Sequence, residues 1–258
     1  MGTNFGKTLK GFFSPISLTQ LNATASFMDR IETKFLMTEQ EFIALLPQFK
    51  KDFYVLEIWG KSIFEYDNVY MDTEDYEFYI RHQEGKKKRT KVRTREYVDS
   101  GYAFFEYKQK QDKLLRKFRY PIALRDHGKM TSESKKFYEG ISMSFSGREK
   151  LEKIFPSLRT EYNRLTLCSK DSAERVTIDF DIKLSNLRGK KSSNKLLNAV
   201  IIESKTTSEN CESHKILKNH NIEKASSCSK YCLGLLYSGV FSEKGRFKKT
   251  MKKFSSMS

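Results

Sequence analysis

The chain has 258 residues and a formal net charge of +16, with hydrophobic residues at 38%, among them 20 Phe and 13 Tyr. That apolar content supports a real core and excludes a disordered polycation. The excess of Lys and Arg asks for an anionic partner: nucleic acid, a polyphosphorylated molecule or an anionic membrane surface.

Four cysteines without a C-x-x-C pair exclude a disulfide framework, and with so few histidines a zinc site is not expected. No apolar run approaches ~20 residues and no signal peptide is recognisable, so the chain reads as cytoplasmic, with no transmembrane segment. A location at the inner face of the membrane, through a membrane-protein partner, stays open.

In chain order, residues 1–25 read as a flexible lead-in. Gly2 to Thr8 resembles a phosphate loop but is one residue short between its glycines, and no strand precedes it. Met28 to Met37 alternates, with Arg30, Glu32 and Lys34 on one face and Ile31 and Phe35 on the other. Thr38 followed by Glu41 makes a capping box that opens a helix through Phe49. Tyr66 to Thr73 predicts a strand, and Tyr76 to His82 its hairpin mate.

The strongest signal is a hairpin from Lys86 to Lys110. Lys87, Arg89, Lys91, Arg93 and Arg95 share one strand face, and Glu106, Lys108 and Lys110 share a face of the returning strand. Val98 to Gly101 supplies the turn. Lys113 to Tyr120 continues as a strand with Lys113, Lys117 and Arg119 together, ended by Pro121.

Residues 131–155 read as mostly helical, and Glu161 to Cys168 as a strand bearing Tyr162 and Arg164. Arg175 to Ile182 sets Arg175, Thr177, Asp179 and Asp181 against Val176, Ile178, Phe180 and Ile182. Leu184 to Asn198 is a Lys/Ser/Asn-rich loop, and Ala199 to Lys205 a strand that places Glu203 beside Lys205. Lys215 to Asn219 predicts a helical turn. Ser229 to Tyr237 predicts a helix stopped by Gly239, and residues 240–258 a basic, disordered tail.

About eight or nine strands with turn signals and no linker point to a single domain over 26–239, mainly β, as a barrel or sandwich with a few helices. The charged faces collect Arg30, Lys34, Arg89, Lys91, Arg93, Arg95, Lys108, Lys110, Lys117, Arg119, Arg164, Arg175 and Lys205 against Glu32, Glu106, Asp179, Asp181 and Glu203. Closed into a barrel with these faces inward, the strands would enclose a cationic tunnel wide enough for a small ligand. Arg forks and Lys point charges suit phosphate oxygens. The carboxylates tolerate a polyanion when a divalent cation bridges them to it. A nucleic-acid groove would interleave aromatics on the basic face, but Phe105, Tyr107, Ile178 and Phe180 lie on the opposite one. A metal–triphosphate is therefore expected, and no nucleic acid.

Arg30 to Phe35 resembles the opening strand of the triphosphate tunnel metalloenzymes. Tyr70 to Thr73, Lys91 to Tyr97, Glu106 to Lys110, Glu161 to Arg164, Arg175 to Asp179, Ile202 to Lys205 and Ser229 to Cys232 resemble, in order, motifs of the VTC-type polyphosphate polymerases in their bacterial form. The resemblance implies an eight-stranded antiparallel tunnel with flanking helices, an α+β fold. It implies transfer of the γ-phosphate of ATP to inorganic polyphosphate with Mn2+ or Mg2+. By motif, Lys34, Arg93, Arg95, Lys108, Arg164 and Lys230 would hold phosphates, and Glu203 the metal, with Glu32 and Glu106 as further ligands. Tyr162 would contact the nucleotide or the phosphates. The tunnel-facing Arg30, Lys91, Lys110, Lys117 and Lys205 join the phosphate-binding set. Ser227 departs from the eukaryotic pattern, which has a second lysine there.

Blander roles compete at some positions. Lys86 to Lys88 fit a solvated hairpin tip, Asp179 and Asp181 fit structural bridges to arginines, and Cys228 and Cys232 fit packing. Hydrolysis of tripolyphosphate or nucleoside triphosphates, and polyanion binding without turnover, stay open beside the polymerase reading.

Overall fold

The computed structural model describes residues 4–24, 31–112, 114–146, 153–171, 174–189 and 195–257. In chain order the elements are α1 (Asn4–Leu9), β1 (Pro15–Ile16), α2 (Leu18–Thr24), β2 (Ile31–Thr38), α3 (Glu39–Asp52), β3 (Phe53–Leu56), β4 (Ile63–Thr73), α4 (Glu77–Gln83), β5 (Lys88–Tyr97), β6 (Tyr102–Gln111) and β7 (Leu114–Ile122). They continue with α5 (Ser132–Ser146), β8 (Ile154–Ser169), β9 (Arg175–Asn186), β10 (Lys195–Leu197), β11 (Ala199–Thr206), α6 (Glu212–Asn219), α7 (Lys230–Tyr237) and α8 (Lys248–Ser255).

Most strands join one antiparallel path, β2-β11-β9-β8-β4-β5-β6-β7. The expected closed barrel is not what forms: among the described residues no backbone pairing joins β7 to β2. Pro121 sits inside β7, opposite Phe104, rather than ending it. An edge strand tolerates a proline because its outward side needs no ladder donor. The sheet nevertheless curls. Lys108 on β6 stands 3.7 Å from Glu32 on β2, although the two strands lie near opposite ends of the path.

Burial follows from the two sheet faces. The outer face carries Phe35, Met37, Leu165, Leu167, Val176, Ile178 and Phe180, covered by Phe5 and Leu9 of α1, Phe42 and Phe49 of α3, and Ile216 and Leu217 of α6. Further along, Phe105 and Tyr107 lie under α5 with Tyr138. Thr38 caps α3 as expected: its Oγ1 accepts from the Glu41 amide at 3.1 Å, and the Glu41 carboxylate returns to the Thr38 amide at 2.7 Å.

Both chain ends differ from expectation. The lead-in packs, with Phe5 centred 5.0 Å from Phe180. The tail packs too, with Phe247, Met251 and Phe254 in one cluster with Leu233, Leu236 and Ile201. Their aromatic and Met residues recur at helical spacing, and that pattern outweighs the basic residues between them.

Two elements change type. Tyr76 to His82 forms helix α4 rather than a strand, because the Asp72 carboxylate accepts the amides of Phe78 and Tyr79, each at 2.9 Å. Ile154 and Phe155 open β8 rather than ending a helix.

A β-bulge reverses one alternation. Two residues, Asp181 (φ 51°) and Ile182, oppose Tyr162 alone. Val176, Ile178 and Phe180 face the outer helices, but Ile182 and Leu184 join the inner cluster around α7.

Candidate functional site

The register places the charged residues on the inner face. Glu203 is opposite Lys34, and Lys205 opposite Glu32. Arg164 is opposite Asp179, Arg93 opposite Glu106, and Lys91 opposite Lys108. A cavity of about 420 Å³ opens here, lined by Glu32, Lys34, Lys91, Lys108 and Lys110, with the chain at 225–229 forming one wall. It exists because the curl brings β2 across from β5 and β6, while the segment leading into α7 walls it.

Each deeper cation has a carboxylate. Lys34 Nζ lies 3.0 Å from Glu203 and 3.3 Å from Glu32, and Lys205 also pairs with Glu203. Arg93 donates to Glu106 from Nε at 2.8 Å and Nη2 at 2.6 Å, and Lys117 reaches the same carboxylate at 2.7 Å. Arg164 grips Asp179 through Nε at 2.5 Å and Nη2 at 2.7 Å, with Lys230 on the same carboxylate. Arg95 instead donates to Asn68 Oδ1 at 2.8 Å and to the Tyr162 hydroxyl at 3.3 Å.

These pairings set the protonation. Burial alone would raise Glu203, but Lys34, Lys205 and Arg164 hold it well below the usual carboxylate range. Burial likewise opposes ionisation of Asp179, yet Arg164 and Lys230 bring it down to about 2. Glu106 is held low by Arg93, Arg95 and Lys117 against its burial. Lys91 is the contrast. Burial, with Lys34 and Lys108 nearby, lowers it to about 8, although Cys232 and Glu32 act the other way, and its ammonium donates to Ser229 Oγ at 2.9 Å.

Some expected residues land elsewhere in role. Tyr162 is buried, stacked on Tyr66 with centroids 5.5 Å apart, and Lys230 sits 4.5 Å above its ring. It braces Arg95 and Lys230. Glu106 serves three cations, Arg93, Arg95 and Lys117. Asp181 sits on the bulge and accepts from Asn163 at 2.8 Å. Arg30 and Lys113 lie outside the described residues.

Phe105, Tyr107, Ile178 and Phe180 face away as expected, but other aromatics, on β4, interleave with the cations. Arg164 lies 4.9 Å over Tyr66, Arg95 5.3 Å over the same ring, and Arg93 5.6 Å over Tyr70. Tyr66, Asn68 and Tyr70 alternate along β4, a period-two signal present in the sequence but bearing no charge. Ser229, which caps α7 by accepting from the Cys232 amide, was not foreseen as a site residue.

A family model described as the VTC domain matches residues 29–238. The chain belongs to the VTC domain family. Membership ties it to polyphosphate and triphosphate chemistry. No curated protein matches it at a significant level.

Solved structures overlap only loosely. A Vibrio parahaemolyticus protein provisionally described as an adenylate cyclase is 12% identical, with 79% of this chain and 97% of that one covered, at a TM-score of 0.43. A conserved hypothetical protein from Pyrococcus furiosus is 10% identical, covering 76% of this chain and 92% of its own, at 0.39. A Pyrococcus horikoshii protein is 12% identical with the same coverage, at 0.37. Overlaps this loose leave the fold to rest on the strands described above.

The inner face of this VTC domain can accommodate a divalent cation at one place. Glu203 and Glu32 both converge on the Lys34 ammonium, with Lys205 on the other oxygen of Glu203 and Lys108 3.7 Å from Glu32, so a cation held here would take two hard oxygen donors over from lysines. Glu106 fits less well, with its oxygens engaged by Arg93 and Lys117. A second group, Asp67, Glu96 and His127, has ligand atoms within 4.8 Å of one another. There Asp67 already accepts from Arg159 Nε at 3.0 Å through both oxygens, which makes it an ion pair rather than a metal centre. Among the described residues no helix is long and apolar enough to cross a membrane.

Proposed function

We propose that this domain is an ATP-dependent polyphosphate polymerase. The observation that carries this reading is the gathering of Lys34, Arg93, Arg95, Lys108, Arg164 and Lys230 on one face on which two acids, Glu203 and Glu32, both meet Lys34. A plain anion groove has no use for those acids, whereas a metal-bound triphosphate does.

In the reaction a terminal phosphate oxygen of the growing chain attacks the γ-phosphorus of ATP, the γ-phosphorus–bridging oxygen bond breaks, and ADP leaves. Mn2+ or Mg2+ held by Glu203 and Glu32 would neutralise charge on the phosphate oxygens. The remaining work is placement and charge stabilisation, which is most of what phosphoryl transfer asks of a protein. Arg93 and Lys108 face the transferring group. Arg164 and Lys230, locked by Asp179, hold the neighbouring phosphates. Glu106, Asn68 and Tyr162 keep Arg93 and Arg95 in fixed directions.

The test is incubation of purified protein with ATP and Mn2+, with and without a short polyphosphate primer, resolving products on gels and quantifying ADP and phosphate separately. A polyphosphate ladder with ADP, lost in Glu203→Gln, supports the proposal. ADP matched by free phosphate without a ladder would mean a hydrolase. Tight polyphosphate binding without turnover would leave a binding domain.

A further inference from the structure

Pairing on the inner face stops at one end of the cavity. Around Glu203, Glu106 and Asp179 the cations have carboxylates within 4.0 Å. Arg89, Lys91 and Arg246 line the same cavity, and among the described residues no carboxylate forms an ion pair with any of them. The Arg89 Nε is buried with no hydrogen-bond partner. Three cations held together without an ion-paired acid repel one another, and a bound anion lowers that cost.

Arg246 is placed there by its surroundings. Its Nε donates to Ser227 Oγ at 2.8 Å. Its Nη1 lies 2.8 Å from where a Cβ on Gly85 would stand, so only glycine at that position lets the guanidinium lie so close, and Gly85 also needs its φ of +73°. Gln83 Nε2 donates to the Glu243 carbonyl at 2.7 Å, docking the segment onto the end of α4. The next residue, Phe247, is buried in the core. The charge of Arg246 is felt by its neighbours. Burial, Lys91, Arg89 and Arg246 together push His82 down to about 2, so it is neutral and leaves the wall to the other cations. Arg246 also lies beyond residue 238, where the family match ends.

We infer that Arg246, with Arg89 and Lys91, forms a second anion subsite against the 225–229 wall of the cavity, taking a phosphate group further along a polyphosphate chain than those held around Lys34 and Arg93. This rests on reading the inner face as a polyphosphate site. With no carboxylate ion-paired to its cations, the subsite needs no bridging metal. The guanidinium fork meets phosphate oxygens directly. The C-terminal segment thereby lets the site distinguish a long chain from a triphosphate.

The test is calorimetric titration at constant ionic strength with inorganic tripolyphosphate and with long-chain polyphosphate. Arg246→Ala should weaken long-chain binding about tenfold, the worth of one charge-assisted contact. Tripolyphosphate binding should stay within about twofold, as for loss of one exposed charge. Lys249→Ala removes the same charge from the same segment, where Lys249 pairs with Glu223, and should change neither.

Arg246→Gln keeps the stem over Gly85 and is measured alongside, so a folding defect in the alanine variant cannot decide the result. Equal weakening of both ligands, or of neither, in both variants overturns the inference while leaving the proposed function standing. Failure of the unaltered protein to bind either ligand overturns both.

Discussion

At Arg93 two hydrogen bonds to one Glu106 carboxylate and a third to the Tyr70 hydroxyl at 3.1 Å fix the direction of the guanidinium. A cation held this way needs no reorganisation when charge develops on a transferring phosphoryl group. Arg93→Ala should therefore lower turnover by ~10²-fold or more, the scale seen for loss of other preorganised donors. Steady-state ADP release checks this, and a fall in kcat larger than the rise in KM would place the effect in the transition state.

Lys91 allows a pH prediction. It faces Ser229 on α7, Cys232 one turn on, and the charges of Lys34, Lys108 and Glu32. Its pKa of about 8 lies below the ordinary 10.5. Between those values the unfolded chain binds the proton and the folded one does not, so this group makes stability rise with pH over that window and costs stability below about pH 8. An anion restores the charged form. Polyphosphate binding near pH 9 should take up a proton and near pH 6.5 should not, as read by calorimetry in buffers of different ionisation enthalpy. No buffer dependence at pH 9 would contradict it.

At the scale of elements, α7 matters most for the site. Its N-cap Ser229 lines the cavity and its first residue Lys230 pairs with Asp179, while its interior packs on β8 through Gly234. A Cβ at Gly234 would meet Leu158 Cδ2 at 2.4 Å, and Leu158 is fully buried. Gly234→Ala should destabilise by about 1–3 kcal/mol as an overpacked contact. It should also weaken phosphate binding, because Lys230 moves with the helix. Urea denaturation measures the first effect and titration the second.

The same scale explains α4. Tyr76, Phe78 and Ile80 alternate like a strand, yet Asp72, fixed at the end of β4, offers its carboxylate to the amides of Thr73, Phe78 and Tyr79 and to the Tyr231 hydroxyl. Those partners come from three elements, and only when they meet does the helix win.

For the whole molecule, the terminal segments complete the core. Removing residues 240–258 would uncover the face that Phe247, Met251 and Phe254 cover. The loss should be about 5 kcal/mol, from three large buried side chains. A thermal melt of the truncated chain should show a much lower, broader transition. A melt unchanged from the full chain would mean that the segment is not part of the core in solution. The net charge of +16 adds self-repulsion that bound polyanion relieves, so ligand should raise the melting temperature most at low salt.

Local pattern alone determined much of this protein. Strand faces read by period two located the β5–β6 hairpin, the strands carrying Lys34, Arg164 and Glu203, and the capping box of α3, because those choices depend on neighbours within a few residues. The charge on each face was equally legible, since alternation decides which side chains travel together.

Tertiary structure decided the rest. The path order and the curl of the sheet set which cation meets which acid, so Glu106 serves three cations and Glu203 shares Lys34 with Glu32. The bulge at Asp181 redirected Ile182 and Leu184, and a sequence with unbroken alternation gives no sign of the extra residue. Whether β7 would reach β2 depends on the summed twist and coil of eight strands, a property of no single strand. Arg246 reached the cavity from a stretch whose composition reads as a tail, because Phe247, Met251 and Phe254 found a hydrophobic surface that exists only once the other elements have folded.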